Sequence, residues 1–293
     1  MSRFAIGLAL GLAALWWMFA LSLRQLSAPL LIWEDQQVTF TRANPLDPYS
    51  VPGFVNPPWT SLLLLPTSLL RAALPVGGLE LAVLAQWLIY AAALTLLALR
   101  ERWPVAGLLV VMTSPLALDS ALELNIEWVV ALGLVLLPRW PLLSPLFMLS
   151  KPQVALGWLL GQQRGVWMSW LLGAVLLGLA SVLLWGDWWV RWQAKSDEKL
   201  VAWMVNAAPS GTIGPLLATI LGLGLALWAV RRHDSLMGLL AGLCFVPYVA
   251  FYSLMIPFTL LAARWPRLGL LISLTLWAVL LPLILAFPWA EAP

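Results

Sequence analysis

Charge is what this sequence has least of: Asp, Glu, Lys and Arg make up 10% of its 293 residues, while 62% are apolar. A water-soluble domain of that size must cover itself with polar side chains, so the scarcity excludes one. A formal net charge of +3 is too small to point to nucleic acid. The single cysteine, Cys244, lies in an apolar run; it excludes an intramolecular disulfide and leaves the redox compartment unmarked. The single histidine, His233, sits in the turn Arg231-Arg232-His233-Asp234, and nothing in the chain resembles a metal cluster. Strict apolar–polar alternation is missing too, which excludes a membrane β-barrel. No internal repeat or low-complexity tract is present.

What is there is a mean hydropathy of +0.92. Apolar runs of about 15 to 20 residues recur, each roughly long enough to cross a hydrocarbon core about 30 Å thick. Backbone groups in lipid must be satisfied internally, so the fold class expected is all-α: a polytopic transmembrane helical bundle forming one integral membrane domain over 1–293. It should hold roughly 9 to 11 membrane segments, some short or re-entrant. The first apolar run is too long for a signal peptide and reads as an uncleaved transmembrane helix.

Arginine placement sets the expected orientation, because Lys and Arg concentrate in cytoplasmic loops. Arg3, Arg100/Arg102, Arg139, Arg164, Arg231/Arg232 and Arg264/Arg267 mark the cytoplasmic turns of an inner (plasma) membrane protein, joined there only by the acidic Glu101 and Asp234. The N-terminus is then inside and the C-terminus outside. Only 24 residues separate Arg139 from Arg164. Two full crossings of about 20 residues each do not fit, so two short helices, 141–150 and 152–163, are expected to rise and return around Lys151-Pro152. A similar rise and return between Arg232 and Arg264 should break near Pro247-Tyr248. Irregular backbone at membrane depth is tolerated where it lines a protein cavity. The sequence therefore predicts an outward-facing cavity floored by Lys151-Pro152-Gln153 and Pro247-Tyr248. Segment 59–74 is expected to be juxtamembrane or re-entrant, keeping Arg71 and Glu80 outside.

Two polar external segments remain, a first loop over 25–58 and an interfacial loop over 186–213. The first carries Glu34, Asp35 and Asp47. The second interleaves Trp188, Trp189, Trp192 and Trp203 with Arg191, Lys195 and Lys199, a pattern suited to lipid headgroups and their phosphates. Asp119, Glu123 and Glu127 fall in the next external turn. Carboxylates facing cations around an apolar cavity suit a lipid phosphate donor and a hydroxyl acceptor: a carboxylate takes the acceptor proton and a cation stabilises the departing phosphate. Either Glu34 or Asp35 can be that base. Lys151 either caps the preceding helix or binds phosphate.

The order of these features, with Asp35 after the first helix, Asp47-Pro48-Tyr49, and Asn56-Pro57-Pro58 before a Leu-rich segment, resembles the GT-C fold of integral membrane glycosyltransferases. It is similar in particular to the bacterial polyprenol-phosphate-mannose-dependent mannosyltransferase family. Further short matches are Glu123-Leu124-Asn125, Lys151 between two short helices, Asn206 with Ser210, and Pro247-Tyr248 followed by Tyr252-Ser253-Leu254. Glu123 stands where that family has Gln, and Ser253 where it has Asp. The resemblance implies an inverting transfer of a hexose such as mannose from a polyprenyl-phosphate carrier to a lipid-linked or envelope glycan acceptor, with no further cofactor. It implies Asp35 as base, with Glu34 beside it. Lys151, aided by Arg191 or Lys195, would hold the donor phosphate. Asn56, Tyr49, Asn125, Glu123 and Tyr248 would shape the substrate pocket. Two rivals stay open: an inactive GT-C-like accessory subunit, and a small-molecule transporter.

Overall fold

The computed structural model describes residues 2–26, 32–200 and 207–286, all of them helical or in connecting turns, with no strand among them. Four helices are long and apolar enough to cross a membrane: α1 (Ser2–Leu26), then, after the short α2 (Glu34–Val38) and α3 (Thr60–Ala73), α4 (Gly78–Ala98), and farther on α10 (Arg164–Trp185) and α13 (Pro215–Arg232). The pair α5 (Pro104–Met112) and α6 (Pro115–Glu123), bent by 62°, is long and apolar enough when taken together, as one broken span or as a re-entrant loop. The bend lies at Thr113-Ser114, where Pro115 disfavours a helical conformation for the residue before it and the Ser114 hydroxyl caps α6 through the Ala117 N–H.

Helix α1 packs antiparallel on α4 through alanines spaced by whole turns. Ala5, Ala9, Ala13 and Ala20 are completely buried, and small side chains let two helices approach closely in lipid. The Trp87 indole donates to the Ala13 carbonyl (2.7 Å) and the Trp17 indole to the Glu80 carbonyl (3.2 Å), fixing the register. Tryptophans expected at the headgroups thus also tie helices together, since a buried indole N–H needs an acceptor. Segment 59–74 forms α3, and its Arg71 donates to the Gln37 carbonyl (2.7 Å) and to Thr41, so its far end returns to the first loop.

The helices around the expected break points are short. After α7 (Glu127–Leu136) come α8 (Ser144–Met148) and α9 (Pro152–Ala155), the last continued by a tighter 3-10 turn over Leu156–Gly161. The two short helices expected beside Lys151 are therefore present. Lys151 itself is extended (φ −147°, ψ 75°), as a residue before proline prefers. Helix α7 has ten residues, about 15 Å at the helical rise, which is half of a hydrocarbon core about 30 Å thick.

Helix α10 (Arg164–Trp185) leads to the surface helix α11 (Trp188–Leu200) and the single turn α12 (Pro209–Thr212). Helices α13 (Pro215–Arg232) and α14 (Ser235–Phe245) then form a hairpin. The chain breaks over 246–250, where Val246 is extended before Pro247, and resumes with α15 (Met255–Arg264) and α16 (Pro266–Ala286). One end of the bundle is closed by Arg264, which grips Glu101 with two bonds (2.7 and 2.9 Å) and Asp234 with a third (2.7 Å). These are the two acidic residues expected among the cytoplasmic arginines.

Candidate functional site

Away from that arginine end, the first loop covers a cavity of about 1080 Å³. All five residues expected on its floor, Lys151, Pro152, Gln153, Pro247 and Tyr248, line it. Asp35 and Glu34 reach it from α2, Asn56 from the loop, and Glu123 and Asn125 from the end of α6. The rest of the wall is largely apolar, including Leu118, Leu122 and Leu280 from α6 and α16.

The polar contacts form two linked groups. Asn125 donates through one amide nitrogen to Asp35 Oδ2 (2.6 Å) and to the Tyr252 hydroxyl (2.9 Å), while its Oδ1 accepts from the Ile126 N–H (2.8 Å). The second group begins at the Tyr252 ring, 4.7 Å below the Lys151 ammonium. Lys151 donates to Glu127 Oε1, which also accepts from the Ser253 hydroxyl (2.6 Å). Glu127 is buried, 2% exposed. The expected external turn of Asp119, Glu123 and Glu127 is thus part of the bundle: Asp119 lines the cavity from within α6, and Glu127 opens α7, where a carboxylate suits the helix N-terminus.

Backbone conformation marks the same place. Trp33 (φ 59°) and Leu124 (φ 35°) are left-handed although both carry large side chains. Such residues cost about 1–3 kcal/mol each and persist where surrounding contacts over-determine them. The Trp33 N–H donates to the Leu122 carbonyl (2.9 Å) and its indole to the Ala121 carbonyl (2.8 Å), while Gln36 donates to the Leu124 carbonyl (2.5 Å). Trp33 stands two residues before Asp35 and Leu124 directly before Asn125, so the tie between loop and helix sets where that carboxylate and amide meet.

Other expected site residues lie elsewhere. Tyr49 is buried under the loop, and its hydroxyl donates to the Asn56 carbonyl (3.2 Å). Burial pushes its phenol above the usual tyrosine range, opposed by Arg191. Arg191 stacks over that ring (5.3 Å) and pairs with Asp47 (3.0 Å), about half-exposed, so it fastens α11 to the loop instead of reaching the cavity. Lys195 does not line the cavity; the residue of this helix that does is Trp192, whose indole donates to the Val55 carbonyl (2.7 Å). Asn206 and Trp203 lie outside the described residues, as does the Lys199 side chain. Among the described residues no group of three His, Cys, Asp or Glu could hold a metal.

Sequence reasoning missed Glu127 and Tyr252 as partners of Lys151. A signal was available for the first: Glu127 and Lys151 are lone opposite charges bordering consecutive short apolar helices, which places them at one depth. No protein-family model matches the chain, and no curated protein or solved structure matches it.

Proposed function

We propose that the chain is a membrane glycosyltransferase with a GT-C-like fold. Its half-helices bring the membrane segments to roughly 9 to 11. It sits in the inner (plasma) membrane with a cytoplasmic N-terminus and an outward-facing cavity, and it moves a hexose such as mannose from a polyprenyl-phosphate carrier to a lipid-linked or envelope glycan acceptor. The observation that carries this reading is the convergence of Asp35, Lys151 and Tyr248 on one cavity whose remaining wall is largely apolar.

In this mechanism the acceptor hydroxyl oxygen attacks the anomeric carbon as the bond from that carbon to the phosphate oxygen breaks. The hydroxyl proton passes to Asp35, held in orientation by Asn125. The phosphate leaves on the carrier, its charge met by Lys151. The apolar wall suits the isoprenoid chain. One observation favours the inactive accessory subunit instead: the Lys151 charge is already matched by Glu127.

The test is transfer of radiolabelled mannose from polyprenyl-phosphate mannose into lipid-extractable product, by membranes holding equal amounts of wild type or Asp35→Asn. The active reading expects transfer by wild type and a loss of about 10²–10⁴-fold in the variant, the range for a general base. Equal transfer by both removes Asp35 from that role, and no transfer by wild type leaves the accessory reading.

A further inference from the structure

Glu127 is the buried charge that the proposed mechanism leaves without a task. Its Oε1 holds both Lys151 and Ser253, while its Oε2 is buried without a partner, as is the Tyr90 hydroxyl on α4. Lys151, the cation lining the cavity among the described residues, is thus held by a carboxylate lying behind the cavity wall. An incoming phosphoryl group competes with Glu127 for the same ammonium. Removing one partner of a buried ion pair leaves an uncompensated charge, which the protein strongly disfavours. The other groups around Glu127 do not offset that charge. They are the hydroxyls of Ser253 and Tyr252 on the 251–254 turn, Tyr90 on α4, Tyr248 in the chain break, and Asp119 on α6, itself a carboxylate.

We infer that Glu127 is a positioning residue that hands Lys151 over to the ligand: a phosphoryl oxygen accepts a hydrogen bond from the Lys151 ammonium in place of Glu127, and Glu127 takes up one proton from solvent hydronium. The inference rests on the reading that the cavity binds a lipid phosphate. One O–H bond of hydronium breaks, leaving water, as the new O–H of Glu127 forms; Lys151 stays an ammonium throughout, and the ligand keeps its single negative charge. Lys151 is held ready while the cavity is empty, and anion binding is coupled to proton uptake.

The test is binding of farnesyl methyl phosphate, a monoanionic phosphodiester, to the full chain in lipid nanodiscs between pH 5 and 8. Wild type should bind more tightly as pH falls, by up to about tenfold per unit, the slope for one proton. Glu127→Gln should bind with little pH dependence and at least about tenfold more tightly than wild type at pH 8. Ser253→Ala, which removes one donor to the carboxylate, should move the wild-type profile to higher pH; it also keeps the test alive should Glu127→Gln fail to fold. Adding Lys151→Gln to Glu127→Gln should abolish diester binding, and farnesol should show no pH dependence. A flat wild-type profile overturns the inference. So does a slope retained in Glu127→Gln, which would assign the proton to Glu34, Asp35, Asp119 or Glu123. Binding with the expected slope but no mannose transfer upholds the exchange and sinks the transferase; transfer with pH-independent binding does the reverse.

Discussion

At the scale of single residues, two contacts carry most of the site. Asn125 is one amide serving a carboxylate, a phenol and a backbone N–H. Hydrogen bonds to charged groups contribute about 1.5–3 kcal/mol, so Asn125→Ala should lower stability by about that amount and loosen Asp35. Asn125→Asp should be worse, because it sets a second carboxylate against the first. Unfolding in detergent, followed by circular dichroism, ranks the variants; equal stability for wild type and Asn125→Ala would mean that the amide is expendable. The Lys151–Glu127 pair, with side chains 11% and 3% exposed, makes a different prediction. Breaking a buried pair from one side costs about 3–5 kcal/mol, whereas replacing both partners by apolar groups is often nearly neutral. Lys151→Met should therefore be severely destabilised and Lys151→Met/Glu127→Met substantially rescued, as a double-mutant cycle would measure. An unrescued double variant would show that Lys151 stabilises through its packing on Tyr252 more than through charge.

At the scale of elements, the breaks were legible and the pairings were not. Pro152 and Pro247 each interrupt an apolar run, and a proline constrains its predecessor wherever it occurs, so those interrupted helices could be read locally, whereas the bend before Pro115 was not read. The cavity floor followed from the same prolines. That Glu127 meets Lys151, or that Arg191 meets Asp47 and not the cavity, depends on which helices lie side by side, and short-range patterns hold no record of that. The close approach of the 156–161 turn to α14 is similarly invisible. A Cβ added at Gly157 would lie 2.2 Å from the Gly238 carbonyl oxygen, and that oxygen is backbone that cannot swing aside. Gly157→Ala should force the two elements apart and cost about 1–3 kcal/mol, the range for overpacking. Gly178, in the middle of α10, has open space where its Cβ would be. Gly178→Ala should be neutral or stabilise by up to about 1 kcal/mol, through helix propensity. Thermal unfolding of the two variants side by side checks the contrast, and similar midpoints would refute the close packing of the Leu156–Gly161 turn against α14.

At the scale of the whole molecule, the question is which end of the bundle faces which side. Side chains at the loop-one end tie distant parts of the chain together: Arg24 pairs with Glu80, and Arg71 bonds Gln37 and Thr41. These contacts place the turn between α3 and α4 beside the first loop, as expected of a juxtamembrane or re-entrant α3. At the opposite end Arg264 binds Glu101 and Asp234, and Gln162 donates to Ser235, gathering the turns marked by arginines. The proposed orientation puts that end in the cytoplasm, following the concentration of Lys and Arg in cytoplasmic loops. Cysteine labelling tests both statements, with little background because Cys244 is only 4% exposed. Leu46 and Val76, at 91% and 93% exposure, are the natural reporters in the first loop and in the turn between α3 and α4, and exposed Gln163 reports on the other end. Leu46→Cys and Val76→Cys should react with an impermeant maleimide in spheroplasts, and Gln163→Cys only after permeabilisation. If Val76→Cys behaves like Gln163→Cys, α3 spans the membrane and the Arg71 contacts are wrong. If all three invert, the packing stands but the cavity opens to the cytoplasm. Asp35 would then face water on the side opposite to the outward-facing donor proposed above, and the transferase reading would lose its substrate while the Lys151–Glu127 exchange could still operate on a cytoplasmic anion.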